Sequence, residues 1–193
     1  MKTKVILIML MPLLIIGEMA FSQAKLTARS SSVIVSGSST MHDWSMKATK
    51  VSVNGDFTIV DGSLKKINSA TVKIEAKSLK SHQDSDLMDE RTYKTINAEK
   101  FPLITFEYLN TVSTNVTGNS GTIKVNGNLT IAGVTKPTDL ILSVTTLANG
   151  DLQIKGTEKI LLTSHKIKPP SFMAGAIKVA DQISIAFDVI LKK

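Results

Sequence analysis

The sequence predicts an all-β, barrel-like domain of about eight antiparallel strands, with a short helical connection across one end. Three observations predict it. Apolar and polar residues alternate with period two through most of the chain beyond residue 22, the signature of half-buried strands. Short turn signals separate these runs. Gly37, Gly55, Gly127 and Gly156 fall inside strand patterns, where glycine suits the bends and bulges that close a sheet. A sheet of this length left open would expose two unpaired edges, and closure removes both.

The N-terminus reads differently. Met1-Lys2-Thr3-Lys4 is basic, Val5 to Gly17 is apolar, and Ala20-Phe21-Ser22 places small residues at the −3 and −1 positions before Gln23. That order is a secretory signal peptide. The apolar run falls short of the roughly 20 residues that a membrane span needs. Residues 1–22 are therefore expected to be a cleaved leader, residues 23–193 the mature barrel, and the location periplasmic or secreted.

Along the mature chain, Ala70, Val72, Ile74 and Ala76 alternate with Thr71, Lys73, Glu75 and Lys77, the cleanest strand of all. Ile123, Val125, Leu129 and Ile131 give a second. Ile183, Ile185, Phe187 and Val189 give another. Weaker strands fall at Ser32–Ser38, Trp44–Val60, Leu103–Val112, Thr138–Leu147 and Leu152–Leu162. Asp61-Gly62, Gly118 to Gly121, Gly133 and Asn149-Gly150-Asp151 supply the turns, and Asn149-Gly150 is a strong hairpin signal. Ser81–Lys100 breaks the pattern. Asp84 or Ser85 can cap a helix running to about Thr95, with Leu87, Met88 and Ile96 facing inward and a short turn at Asn97–Lys100. Lys166–Gly175 is also irregular, because Pro169-Pro170 removes two backbone donors and fixes an extended path.

Composition narrows the function. The chain is 42% hydrophobic and 20% charged, so it is globular rather than disordered. Its formal charge is +7, but the basic residues are scattered and aromatics make up only 5%, which speaks against a nucleic-acid surface. The absence of cysteine excludes disulfides, thiolate nucleophiles, Cys-based zinc sites and lipid attachment at a Cys. His42, His82 and His165 lack metal-ligand spacing. In His42-Asp43-Trp44, neighbouring strand residues point to opposite faces, so His42 and Asp43 do not pair naturally and Trp44 packs in the barrel. The acids Asp84, Asp86, Asp89 and Glu90 read as a solvated helix face with acids near its N-terminus. No catalytic residue, metal or cofactor is expected. Ala48, Ala70, Ala76, Gly55, Gly127 and Gly156 are small inward positions, which leaves room for a cavity in a barrel near the size where interiors are either filled or hollow.

Several segments together resemble the YceI-like domain, a periplasmic, lipocalin-like barrel associated with polyisoprenoid lipids. They are Gly37-Ser38-Ser39-Thr40-Met41-His42-Asp43-Trp44, Ser78-Leu79-Lys80-Ser81, Met88-Asp89, Lys100-Phe101-Pro102-Leu103-Ile104-Thr105-Phe106, and Gly127-Asn128-Leu129-Thr130-Ile131-Ala132-Gly133-Val134-Thr135-Lys136. The last is similar to the family's G-x-L-T-x-x-G-V-T-K hairpin. The resemblance covers about residues 30–191. Asp86 to Arg91 and Lys168-Pro169-Pro170 depart from the commoner family patterns and mark a divergent branch.

The resemblance implies a non-enzymatic protein that holds a polyisoprenoid or another long apolar lipid, such as a quinone or fatty acid, with at most transient membrane contact. The competing expectation is a filled barrel that serves envelope stress or protein interaction. The oligomeric state is left open. On the lipid-binding reading, Trp44, Met46, Phe57, Val72, Ile74, Phe106, Ile123, Val125 and Phe187 line the cavity. Met88, Phe172 and Met173 form a lid, and Lys166 and Lys168 meet a phosphate headgroup.

Overall fold

The computed structural model describes residues 22–192. The expected leader lies outside the described residues, save for Ser22, which opens the first strand. The elements in chain order are β1 Ser22–Ser39, β2 Asp43–Ala48, β3 Val51–Val60, β4 Ser63–Glu75, β5 Leu79–Ser81, α1 Asp86–Thr95, β6 Leu103–Thr117, β7 Ser120–Ile131, β8 Val134–Thr146, β9 Leu152–Leu161, β10 Ser171–Phe172 and β11 Ile177–Lys192. Eight of the strands form a closed antiparallel barrel in the order β1-β3-β4-β6-β7-β8-β9-β11, and β11 pairs back onto β1. The all-β, eight-stranded expectation holds. β2 and β5 extend one wall past β3, β2 on the C-terminal half of β1 and β5 on β2. The expected single strand Trp44–Val60 is thus two, broken at Thr49-Lys50, where the chain bonds to Ser78 and Glu75 instead.

Two strands run well beyond their expected starts, and bulges explain why. In β1 the inward residues are Ala24 and Leu26, then Val33 and Val35. A register shift between Ala28 and Ser30 moves the inward phase from even to odd numbers. In β4, Ile67 faces Phe57 while Ala70 faces Gly55, because Asn68 is the extra residue. A bulge adds one residue to one strand and so inverts the apolar alternation that a period-two reading follows.

Two of the eight ladders are short. β4 and β6 pair over Thr71–Glu75 only, and β8 and β9 over Ser143–Thr146 only. The first seam closes the end nearer α1, the second the far end. β8 and β9 therefore splay apart toward the α1 end. The 3-10 turn Leu162–His165 packs against β8 there and buries Leu162 and His165.

The interior is uneven along the barrel axis. At the far end Phe57, Leu152, Leu191, Val125 and Val144 are almost wholly buried and fill the space between the walls. At the other end a looser set, including Met46, Ile74, Leu129, Ile160 and Ile183, surrounds a void beneath α1. Deleting a side chain should cost more where nothing else is missing. Phe57→Ala is expected to lower unfolding free energy by about 3–5 kcal/mol, against about 1–2 kcal/mol for Val72→Ala at the void, measured by urea denaturation.

Candidate ligand-binding cavity

Three parts of the chain roof the void. The first is α1. Ser85 caps it, its hydroxyl accepting from the Met88 backbone N–H at 3.4 Å, and Asp86 and Asp89 complement its positive N-terminus. Met88, Arg91, Thr92, Thr95 and Ile96 share one helical stripe and face the void. Leu87, expected to face inward, is 58% exposed and does not line the void. The second part is the Ser39–His42 loop, and the third is the Pro170–Ile177 segment with the small strand β10.

Asp89 fixes the helix to the wall. It is 3% exposed, its carboxylate accepts from the Ser81 backbone N–H at 2.7 Å, and Lys80 Nζ lies 2.9 Å away. Tyr93 Oη donates to the Leu79 carbonyl at 2.9 Å. Burial pushes the Asp89 carboxyl up, but the Lys80 ammonium and the Ser81 N–H outweigh it and hold it below the usual carboxylate range. The expected reading of Asp89 as a solvated acid is therefore corrected: it is a buried anchor.

The cavity measures about 490 Å³. That lies within the range of small-molecule sites and far above the ~30 Å³ share of one water. Its walls are almost entirely apolar, and it opens beside α1.

Of the residues expected to line it, Trp44, Met46, Val72, Ile74, Met88, Phe106, Phe172 and Phe187 do so. Phe57, Ile123 and Val125 do not: they face inward as expected but lie at the far end, where they close-pack. Met173 points away and is 74% exposed, because positive φ angles at Met173 and Ala174 turn the chain outward. Lys166 and Lys168 also miss the cavity. They flank the buried Ile167, which does line it, so the alternation sends both ammonium groups into solvent.

Glycines let the rings into the wall. A Cβ at Gly156 would stand 2.4 Å from Phe187 Cζ and 2.9 Å from the Ile141 carbonyl oxygen. The ring of Phe187 thus lies over Gly156, beside the splay between β8 and β9. At the β7–β8 turn, Ala132 and Gly133 both take positive φ, the two-residue hairpin geometry. A Cβ at Gly133 would meet Phe101 at 2.3 Å, so the Gly133 turn and the Lys100-Phe101-Pro102 segment form one contact.

Several wall and rim groups escaped the sequence reading. Leu129, Ile131, Ile160, Ile183 and Ile185 line the cavity and were legible as inward strand positions. Arg91 stands at the rim with its guanidinium 4.2 Å from the centre of the Phe172 ring. His165 is 2% exposed, and burial lowers its pKa from the usual histidine value. Its Nδ1 is 3.0 Å from Ser164 Oγ. Glu158 also lines the cavity, and its signal was its phase, shared with Leu152, Ile154 and Ile160. Among the described residues no cluster of three metal-ligating side chains occurs.

Because Asp89 has a depressed folded-state pKa, its contribution is complete above about pH 4, the unfolded aspartate value, and fades as pH falls through the lower folded value. Asp89→Ala is expected to cost about 1–3 kcal/mol at pH 7. Urea denaturation of wild type and variant at pH 7 and pH 3 should show the gap shrinking in acid.

Comparison with known proteins agrees with this architecture. The model of the YceI-like domain matches residues 25–191. Among solved structures, the chain is similar to Burkholderia cenocepacia BcnA, with TM-score 0.66 and 17% identity over 83% of this chain and 95% of that one. It is similar to a polyisoprenoid binding domain from Saccharophagus degradans implicated in plant cell wall breakdown, with TM-score 0.65 and 13% identity over 90% and 99%. It also resembles the Campylobacter jejuni YCEI protein, with TM-score 0.57 and 22% identity over 75% and 82%. No curated protein matches it significantly in sequence.

Proposed function

The chain belongs to the YceI-like domain family, and from that premise we propose that it is an exported binding protein that holds a long apolar ligand, a polyisoprenoid lipid, inside its barrel. The observation that carries this reading is the cavity of about 490 Å³ with near-uniform apolar walls and one end open beside a helix. The Saccharophagus degradans domain, described as polyisoprenoid binding, supports the ligand class.

The mechanism is burial without chemistry. Each methylene moved from water to the wall gains about 0.8 kcal/mol. Ten give roughly 8 kcal/mol gross, from which the costs of association are subtracted. Affinity comes from area, and selectivity from a few polar groups. Such a protein shields its lipid between a membrane and an enzyme, or stores it. The competing reading, a filled barrel acting only as an envelope stress or interaction protein, fits a hollow interior poorly. We read the protein as a binder rather than an enzyme because its cavity wall is almost entirely apolar and a structural neighbour is described as polyisoprenoid binding. Export to the periplasm or beyond rests on the basic, apolar and small-residue order of residues 1–22.

The full-length chain expressed in a Gram-negative envelope should yield a mature protein whose N-terminal sequence starts at Gln23. Native mass spectrometry of that protein should reveal a co-purifying isoprenoid. A quinone or acyl mass would redirect the ligand assignment, and an empty barrel would count against lipid carriage.

Filling the void tests the site itself. Ile183→Trp should weaken binding of the neutral probe diphenylhexatriene about tenfold or more, because it occupies ligand volume. Replacing Lys166 and Lys168 together by Ala should leave that affinity within about twofold, since both groups lie outside the cavity.

A further inference from the structure

We propose that Glu158 selects the ligand: the cavity takes a chain carrying a hydrogen-bond donor, a hydroxyl or an amine, at mid-depth, and rejects one that brings a carboxylate or phosphate there. This rests on the lipid-binding reading above and sharpens it.

The register places the group. In the β9–β11 ladder Glu158 stands opposite Ile185, one inward step from Ile160 opposite Ile183 and one from Gly156 opposite Phe187. Of the inward positions on β11, Ile177 and Val179 lie nearer the mouth, and Val189 and Leu191 lie deeper. Glu158 is therefore halfway down a wall that is otherwise hydrocarbon at its level: Ile160, Ile183, Ile185, Phe187 and, across the splay, Leu140.

Among the described residues no cation neutralises it, and Glu158 forms no ion pair. The neighbouring lysines of β9 alternate to the outer face, where Lys155 pairs with Asp188 and Lys159 is exposed. Lys124 is held by Asp139. Arg91 is at the rim against Phe172. The charge that bears on Glu158 is Asp139, of the same sign. Burial pushes the Glu158 carboxyl above its ordinary value, Asp139 adds to this, and the Lys159 backbone N–H pulls the other way.

An unpaired carboxylate on an apolar wall is costly once a ligand excludes its water. A plain hydrocarbon chain would impose that cost without return. A second anion would add repulsion in surroundings that screen poorly. A hydroxyl or amine on the ligand offsets the cost, because charge-assisted hydrogen bonds are among the stronger ones. The splay between β8 and β9 leaves this stretch of β9 free of a β8 partner, so the carboxylate has room to turn toward the bound chain. A polyisoprenoid bound this way enters polar end first, as an alcohol or amine rather than a phosphate, with its tail leading back to the mouth.

The test is displacement of diphenylhexatriene from the whole mature protein by hexadecylamine, hexadecanol and palmitate at pH 7.5. Amine and alcohol are expected to compete at concentrations about tenfold or more below palmitate. Glu158→Gln, nearly isosteric, should bring all three within about threefold, and Glu158→Leu should tighten diphenylhexatriene itself. If wild type binds all three equally, or if Glu158→Gln leaves the order unchanged, the selection by Glu158 is wrong while lipid carriage stands. If neither the probe nor any of the three lipids binds, the lipid-binding reading falls and this one with it.

Discussion

Everything in this molecule depends on the pairing of its first long strand with its last. β1 and β11 meet along a register running from Thr27–Lys192 to Ser39–Val179, and that ladder converts a twisted sheet into a barrel. Without it the sheet would have two long edges and one exposed apolar face. With it, the apolar face becomes an interior and the edges vanish. The two short seams, β4–β6 and β8–β9, are affordable only because this long ladder holds the circumference closed.

Closure fixes the circumference but not the filling. The far end uses large side chains that meet across the axis, with Phe57 and Leu152 as examples. Rings lie against glycine at both ends, with Phe57 over Gly55 at the far one. Trp44 lies over Gly37, Phe106 over Gly127 and Phe187 over Gly156, each close enough that a Cβ would clash. A ring that lies against the wall covers backbone. The same device lets aromatic residues pack on the sheet along the whole barrel.

How much of this was legible in the sequence follows from where the alternation runs unbroken. The run from Ala70 to Ala76 and the segment around Gly127 to Lys136 were readable because no bulge interrupts them. The N-terminal half of β1 and the first part of β4 were not, because the extra residues near Arg29 and Asn68 invert the inward phase. The helix was legible to its cap, since Ser85 and the early acids are local signals. Depth along the axis was not legible at all. Phe57, Ile123 and Val125 point inward just as Phe106 and Val72 do, and period two carries no information about which end of a barrel is packed. The placement of Lys166 and Lys168 failed for a related reason. The strand-like alternation about Ile167 continues through an irregular segment, so proximity to the mouth did not mean access to it.

Division of labour along the axis has a physical consequence. A void forfeits dispersion contacts and destabilises the fold in proportion to its size. Here the void lies beneath α1 and reaches down to Val189 and Leu191, and the close-packed residues beyond it, Phe57 and Leu152 among them, supply the stability that tolerates it. The roof follows the same economy. Asp89 and Tyr93 tie α1 to β5, while Met88 and Thr95 along its inner stripe face what enters. On the wall below, Glu158 is the polar exception in an inward column of Leu, Ile and Gly on β9. A column evolved for packing alone would carry another aliphatic residue there. A carboxylate kept at mid-depth, with its neighbours' cations turned outward, makes sense when its partner arrives with the ligand.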